Sequence, residues 1–198
     1  APALPATDHL PPVRLREEFT DLDRWEPLLF PEIPRHTLYT AESDGQLDYL
    51  RAESSDSSSG LIFTDQFDVY DYPKIRWRWK VSDIYRGEEV NKAGRKDGDD
   101  YPIRIYIIFR YDPDRAGPLQ RIFYAAARRR YGEYPPHSAL NYVWASNPRA
   151  ETLMTNPYSS RSRMIFLRMG NERKGQWVEE SVDILEDYRR AFGEDPPA

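Results

Sequence analysis

The chain of 198 residues contains no cysteine, and this absence removes several classes of protein at once. Without thiols there is no disulfide scaffold, no thiolate zinc site, no iron–sulfur cluster and no cysteine nucleophile. The absence of cysteine leaves the cellular compartment open.

Long apolar runs and the common catalytic motifs are also missing. No window approaches 18 uninterrupted apolar residues, so we expect no transmembrane segment. The sequence has no GxSxG elbow, no P-loop, no HExxH and no Gly-rich dinucleotide fingerprint, which disfavours the common hydrolases, nucleotide-binding proteins and zinc proteases. The formal charge of −5 disfavours a nucleic-acid partner, because phosphate binding requires concentrated positive charge, although a local basic surface such as Arg128 to Arg130 can coexist with it.

The composition is that of a folded protein with a substantial core. Of its residues, 39% are hydrophobic, and 14 Tyr and five Trp supply large side chains for burial. Residues 1–13 are rich in Pro and Ala and predict a flexible leader, whereas 14–198 predict a single domain.

Short runs of aromatic and β-branched residues between turn residues predict a mainly β fold. The predicted strands are 36–42, 47–54, 60–68, 74–82, 102–111, 139–146, 163–169 and 175–183. Residues 119–131 suit a helix or a strand, with helix favoured, and 184–192 predict a helix that stops at Gly193.

Apolar and polar residues alternate in two of the predicted strands. Because successive side chains of a strand point to opposite faces, each of these strands has one apolar face. In 74–82 the apolar set is Ile75, Trp77, Trp79 and Val81, and the cationic set is Arg76, Arg78 and Lys80. In 102–111 the apolar set is Ile103, Ile105, Ile107 and Phe109, opposite Arg104, Tyr106, Ile108 and Arg110. We therefore expect a sheet with one buried face and one basic, aromatic face, with Trp77 and Trp79 in the core rather than in a sugar-stacking platform.

Strands with one apolar face must bury that face against another layer. The fold predicted is an antiparallel two-sheet β-sandwich of jelly-roll type, with one or two short peripheral helices. An α+β arrangement is the alternative, favoured if 119–131 forms a long helix across a single sheet.

Four segments together resemble a known family: Trp77-Arg78-Trp79, Gly98-Asp99-Asp100 leading into Arg104-Ile105-Tyr106-Ile107, Leu140-Asn141-Tyr142-Val143-Trp144, and Asp187 to Gly193. Their order, from Trp25 to Pro197, resembles the bacterial family catalogued as domain of unknown function 3047. The resemblance implies an exported protein and no established activity. It also implies a further apolar strand and an Asp/Asn-rich turn beyond Ala198, so we expect this chain to lack a terminal strand.

The acidic cluster Asp97, Asp99 and Asp100 precedes the strand that carries Arg104. Oxygen clusters suit hard cations, so calcium is a possible cofactor, but the spacing is not that of a calcium loop and no metal is the first expectation. Asp99, Asp100, His137 and Tyr106 are candidate proton donors or acceptors. We expect Arg104 to form an ion pair with Asp99 or Asp100 that holds the polar loop 83–101 over the sheet, unless a ligand competes.

Ligand contacts are predicted on the basic face and in one loop. The candidate residues are Arg76, Arg78, Arg104 and Arg110 on strands, and Asn156, Tyr158 and Arg161 in a turn-rich segment. His137 and this segment suit a structural role equally well.

Three functional hypotheses remain open. The first is a non-enzymatic module that binds a saccharide or a cell-envelope component; the second is a polysaccharide lyase or glycoside hydrolase on the same surface; the third is a structural protein of the periplasm. A periplasmic or secreted location is expected from the resemblance, from the absence of cysteine and from the start Ala1-Pro2-Ala3, which is typical of a processed or trimmed chain.

Overall fold

The computed structural model describes residues 13–30, 32–87, 95–114, 116–131 and 134–197. The fold is mainly β, with ten strands and two helices in this part of the chain. It divides into two compact units, Ala1–Phe67 and Asp68–Ala198, each of which is described by itself. The predicted leader over 1–13 lies almost wholly outside the described residues, and the single domain over 14–198 stays a prediction.

The first unit consists of two antiparallel strand pairs. Strand β1 (Trp25–Leu29) pairs with β4 (Ser59–Phe63), and β2 (Leu38–Ser43) pairs with β3 (Asp48–Glu53). The turn between β2 and β3 forms because Asp44 Oδ1 accepts hydrogen bonds from the backbone of Gln46 and Leu47, with Gly45 at φ 86°.

The second unit contains a four-stranded sheet in the order β6-β7-β9-β8. Its strands are β6 (Ile103–Phe109), β7 (Ser138–Ala145), β8 (Leu153–Asn156) and β9 (Ser159–Met169). Strands β6 and β8 are the edges and pair antiparallel with their neighbours, whereas β7 and β9 run parallel. The sheet is therefore mixed, which the prediction of an all-antiparallel fold did not include.

One face of this sheet packs against a separate strand pair, β5 (Lys74–Trp79) and β10 (Val178–Asp183). Trp79 and Trp144 are almost fully buried between the two sheets, with Ile103 and Ile105 packed against them. The Trp79 and Trp144 ring centroids lie 5.8 Å apart. The predicted alternation of β5 and β6 is confirmed: Trp79 lies in the core, and the partly buried Trp77 packs against it.

The two helices lie where the sequence favoured them. Helix α1 (Pro118–Tyr131) connects β6 to β7, and α2 (Ile184–Phe192) follows β10. Asp183 caps α2 by accepting a hydrogen bond from the backbone of Glu186 at 3.0 Å, and Gly193 ends it at φ 73°, in the left-handed region that glycine adopts without strain. Among the helices of the described residues, none is long and apolar enough to cross a membrane.

Candidate functional site

The four-stranded sheet has a second face, opposite the tryptophan layer, and a polar cluster lies on it. The Arg104 guanidinium donates from Nη1 to Asp99 Oδ2 at 2.8 Å, and its Nη2 donates to the backbone carbonyl of Asp99. The Asp99 side chain is 7% exposed and that of Arg104 is 22% exposed. The predicted ion pair between Arg104 and an acid of the preceding loop is therefore present, with Asp99 as the partner.

The segment that carries Asp99 begins with a 3₁₀ turn, Lys96–Gly98, and is held at a second point. The Tyr158 hydroxyl donates to the Lys96 carbonyl at 3.1 Å, and the Lys96 ammonium lies 5.2 Å from the centre of the Tyr158 ring. Tyr158 belongs to the turn between β8 and β9, whereas Arg104 lies on β6. These contacts fasten one short segment to both edges of the sheet.

Tyr101 extends the cluster on its apolar side. Its ring packs with Val143 and Phe166 of the sheet, and the Arg104 guanidinium lies 4.8 Å above the ring centre. A cation over an aromatic face is attracted by the ring quadrupole, and partial burial strengthens this attraction. Arg104 is thus held by an acid, by a backbone carbonyl and by an aromatic ring.

Tyr106 and Asn141 lie side by side in the β6–β7 register and point to this same face. Arg104 Nη1 is 3.4 Å from the Tyr106 hydroxyl, and Tyr106 is 45% exposed. Asn141 has no exposed surface, and neither of its amide atoms makes a hydrogen bond of normal geometry within the described residues. The Asn141 amide lies near the Tyr106 hydroxyl. Burial raises the pKa of this hydroxyl, and the amide acts in the opposite direction.

The electrostatics of the cluster are dominated by burial. Burial raises the pKa of Asp99 above its ordinary value, although Arg104 acts in the opposite direction. Burial likewise raises the pKa of Tyr106, again against Arg104. A carboxyl with a raised pKa is typical of functional sites, but ion pairs that only support structure also perturb pKa values.

The other predicted arginines lie elsewhere in the second unit. Arg76 and Arg78 are exposed on β5, and Arg76 is 3.7 Å from Glu179 of β10. Because the apolar faces of β5 and β6 are packed against each other, their basic faces point away from one another. The prediction of one continuous basic face that joins Arg76 and Arg78 to Arg104 is therefore wrong. Arg110 is exposed directly after β6.

His137 takes part in a separate network. Arg161 approaches the His137 ring and donates from Nε to its carbonyl at 3.0 Å, while His137 Nδ1 lies 2.9 Å from the Ser138 hydroxyl. Because a guanidinium only donates, the ring nitrogen beside Arg161, Nε2, is the acceptor and Nδ1 carries the proton. Burial, and then Arg161, lowers the pKa of His137. The ring therefore has no basic nitrogen available to a substrate in this arrangement.

The remaining predicted residues are divided between these two clusters. Asn156 is buried, and its Oδ1 accepts from the backbone of Tyr158 at 2.9 Å, which stabilises the turn that positions Tyr158. Arg161 belongs to the His137 network and is also 3.7 Å from Glu194.

The acidic cluster does not converge in the structure. The Asp97 carboxylate accepts two hydrogen bonds from Arg95, whereas Asp99 faces Arg104 and Asp100 is exposed. Within the described ranges, no group of three His, Asp or Glu side chains has the arrangement of a metal site.

A family model described as "Protein of unknown function (DUF3047)" matches residues 23–198. The chain belongs to this family. No curated protein and no solved structure matches it. The resemblance expected from four segments of the sequence is thus confirmed over nearly the whole chain.

In this DUF3047 protein, sequence reasoning gave no role to Asn141 or Ser162. Both are buried and lie on the polar side of the sheet, and the Ser162 hydroxyl also lacks a hydrogen bond within the described residues. For Asn141 the signal is a polar residue in an apolar strand, since it interrupts Leu140-Asn141-Tyr142-Val143 at a position where burial requires a partner; Ser162, within Ser159-Ser160-Arg161-Ser162-Arg163, has no such signal.

Proposed function

We propose that this protein is a non-enzymatic, saccharide-binding module associated with the cell envelope. The observation that carries the proposal is the half-exposed Tyr106 ring beside the Arg104–Asp99 pair, in which the carboxylate is buried and the guanidinium is partly exposed. Saccharide sites commonly combine an aromatic ring, which contacts the apolar side of a sugar, with polar groups held at its edge. The support is geometric, and it does not depend on the predicted sandwich of jelly-roll type, which stays a prediction.

Arg104 and the Lys96–Gly98 turn are held in place before a ligand binds. Arg104 is held by three contacts, and Lys96–Gly98 is held through Tyr158. Side chains fixed before binding lose little conformational entropy when a ligand arrives, so affinity does not require a large interface.

The alternative, a lyase or glycoside hydrolase on this surface, has less support from the geometry. Glycoside hydrolysis in most families uses two carboxyl groups on either side of the scissile bond. Here the Asp99 carboxylate is paired with Arg104, and both His137 ring nitrogens face other side chains. Asp99 retains one property of a catalytic acid, its raised pKa.

A glycan array followed by calorimetry tests the binding proposal. We expect Tyr106→Ala to abolish binding of any positive glycan, because the aromatic contact is removed. Tyr85→Ala is the matched control, since Tyr85 is 43% exposed in the same unit and should be dispensable. Silence of the array across neutral and uronate-rich glycans, or an equal loss in both variants, contradicts the proposal.

A polysaccharide panel tests the enzymatic alternative. Release of reducing ends indicates a hydrolase, and an unsaturated product that absorbs in the ultraviolet indicates a lyase. Either activity, if lost in Asp99→Asn and retained in Asp97→Asn, would replace the binding proposal.

The envelope location rests on what the family resemblance implies. Fractionation of the native host with an antibody to this protein tests it. Recovery with periplasmic or secreted markers is expected, and recovery with cytoplasmic markers would contradict it.

A further inference from the structure

Asn141 is an unusual residue for its position in the sheet. It lies on β7, which is hydrogen-bonded to β6 on one side and to β9 on the other, and it is fully buried. Further along the same face, Val143 and Ala145 are apolar and pack with Tyr101. A buried amide without good hydrogen bonds destabilises a fold, so such a group is expected to have a partner, either ordered water or a ligand.

Two further polar atoms on this face are also buried without a hydrogen bond within the described residues. They are Asp99 Oδ1 and the Ser162 hydroxyl oxygen. Ser162 precedes Met164, the β9 neighbour of Asn141, by two residues and therefore shares its face. Asp99 is connected to Asn141 through Arg104 and the Tyr106 hydroxyl.

The chemistry of these atoms matches a hydroxyl group. An ionised carboxylate oxygen only accepts hydrogen bonds, whereas an amide both donates and accepts. One ligand hydroxyl could donate to Asp99 Oδ1 while a neighbouring hydroxyl accepts from the Asn141 amide. A ligand carboxylate would place a second negative charge beside Asp99 without releasing Arg104, which is already paired at 2.8 Å.

We infer that Asp99 and Asn141 form a buried subsite for adjacent hydroxyl groups of a neutral saccharide, with Ser162 at its edge. This inference rests on the proposed function and names its ligand class, since uronate-rich glycans are excluded. Because Asn141 has no exposed surface, a ligand reaches its amide only after a covering side chain shifts, and we expect its β6 neighbour Tyr106, which is 45% exposed, to be the side chain that moves.

The first experiment compares two sets of hexasaccharides by calorimetry on the wild-type protein. The neutral set is cellohexaose, maltohexaose and mannohexaose, and the acidic set is the hexamers of galacturonate and guluronate. At least one neutral hexamer is expected to bind ten or more times more tightly than either acidic hexamer. Tighter binding of an acidic hexamer overturns the subsite but leaves the proposed function standing, whereas silence of both sets contradicts the proposed function.

The second experiment replaces the amide by an apolar side chain of similar size, Asn141→Leu. The neutral hexamer should bind at least tenfold more weakly, and the melting temperature should rise by about 3 °C because an unsatisfied buried amide has been removed. Ser146→Ala is the control: this buried hydroxyl accepts a hydrogen bond from the backbone of Tyr85 at 3.1 Å, so its loss should lower the melting temperature and leave affinity unchanged. Unchanged affinity in Asn141→Leu overturns the subsite. A lower melting temperature in Asn141→Leu also overturns the subsite, even if no hexamer binds. It would show that the Asn141 amide is already hydrogen-bonded in the free protein.

Discussion

Arg104 and Asp99 join a strand of the four-stranded sheet to the turn that precedes it. One guanidinium donates to the Asp99 carboxylate at 2.8 Å and also to the Asp99 backbone carbonyl. Since the carboxylate is 7% exposed, water screens this pair less than it screens the surface ion pairs of the molecule. The pair therefore serves both stability and the candidate site.

Arg104→Ala should lower the free energy of unfolding by about 2–3 kcal/mol, because it leaves the Asp99 carboxylate buried without its counter-charge and Arg104 is itself partly exposed. Urea denaturation measures the change. Arg76→Ala is the control, since the Arg76–Glu179 pair is exposed at both ends and should contribute little. Equal effects of the two substitutions would contradict a structural role for the Arg104–Asp99 pair.

The raised pKa of Asp99 predicts a particular dependence of stability on pH. Burial raises this pKa above the ordinary 3.8 despite Arg104, so the folded state holds the proton more tightly than the unfolded state does. The resulting stabilisation is fully present below pH 3.8 and is lost as the pH rises through the raised value. Relative to Asp99→Asn, the wild type should therefore lose stability in urea titrations as the pH rises above 3.8 and through the raised pKa. Asp97→Asn, in the same turn, is the control, and a wild type that gains stability over this range would refute the prediction.

Glu180 connects the two sheets of the second unit. It is almost fully buried and accepts from the Trp79 indole at 3.0 Å and from Arg168 at 2.6 and 3.1 Å. Glu180→Ala should lower the free energy of unfolding by about 2–4 kcal/mol, because it removes a charge partner and the acceptor of a buried indole. Glu179→Ala, an exposed neighbour on the same strand, should change it little. Comparable losses in the two variants would show that the buried contacts of Glu180 contribute no more to the free energy of unfolding than the exposed side chain of Glu179 does.

His137 should titrate below its ordinary pKa of 6.5, because burial and the Arg161 charge both disfavour the imidazolium. The contribution of His137 to stability is then present above pH 6.5 and is lost as the pH falls through the lowered value. Arg161→Gln should move the pKa upward, as followed by NMR of the ring protons. Arg163→Gln is the control, since Arg163 donates to the carbonyls of Ala191 and Ser160. If the His137 pKa does not move in Arg161→Gln, Arg161 is not a cause of the shift.

The structural features that depend on residues close in sequence were predicted best. The alternation of β5 and β6 assigned Trp79 and Ile105 to the core, and the helix predicted over 184–192 stops at Gly193 as expected. Strands β1 and β8 were missed, because β1 contains Pro27 and Glu26 and β8 has four residues. Such short segments become strands through their partners rather than through their own pattern.

The sequence by itself determined which side of each strand is apolar, because side chains alternate along any extended chain, and it placed Asp99 close to Arg104, five residues away. Tertiary structure alone decided that β5 and β6 belong to different sheets, that β7 and β9 run parallel, and that Asn141 is buried beside Tyr106. These relationships depend on contacts between residues that are distant in sequence. The free energy of such contacts comes from the burial of whole apolar strand faces. A local pattern specifies the faces but not their partners.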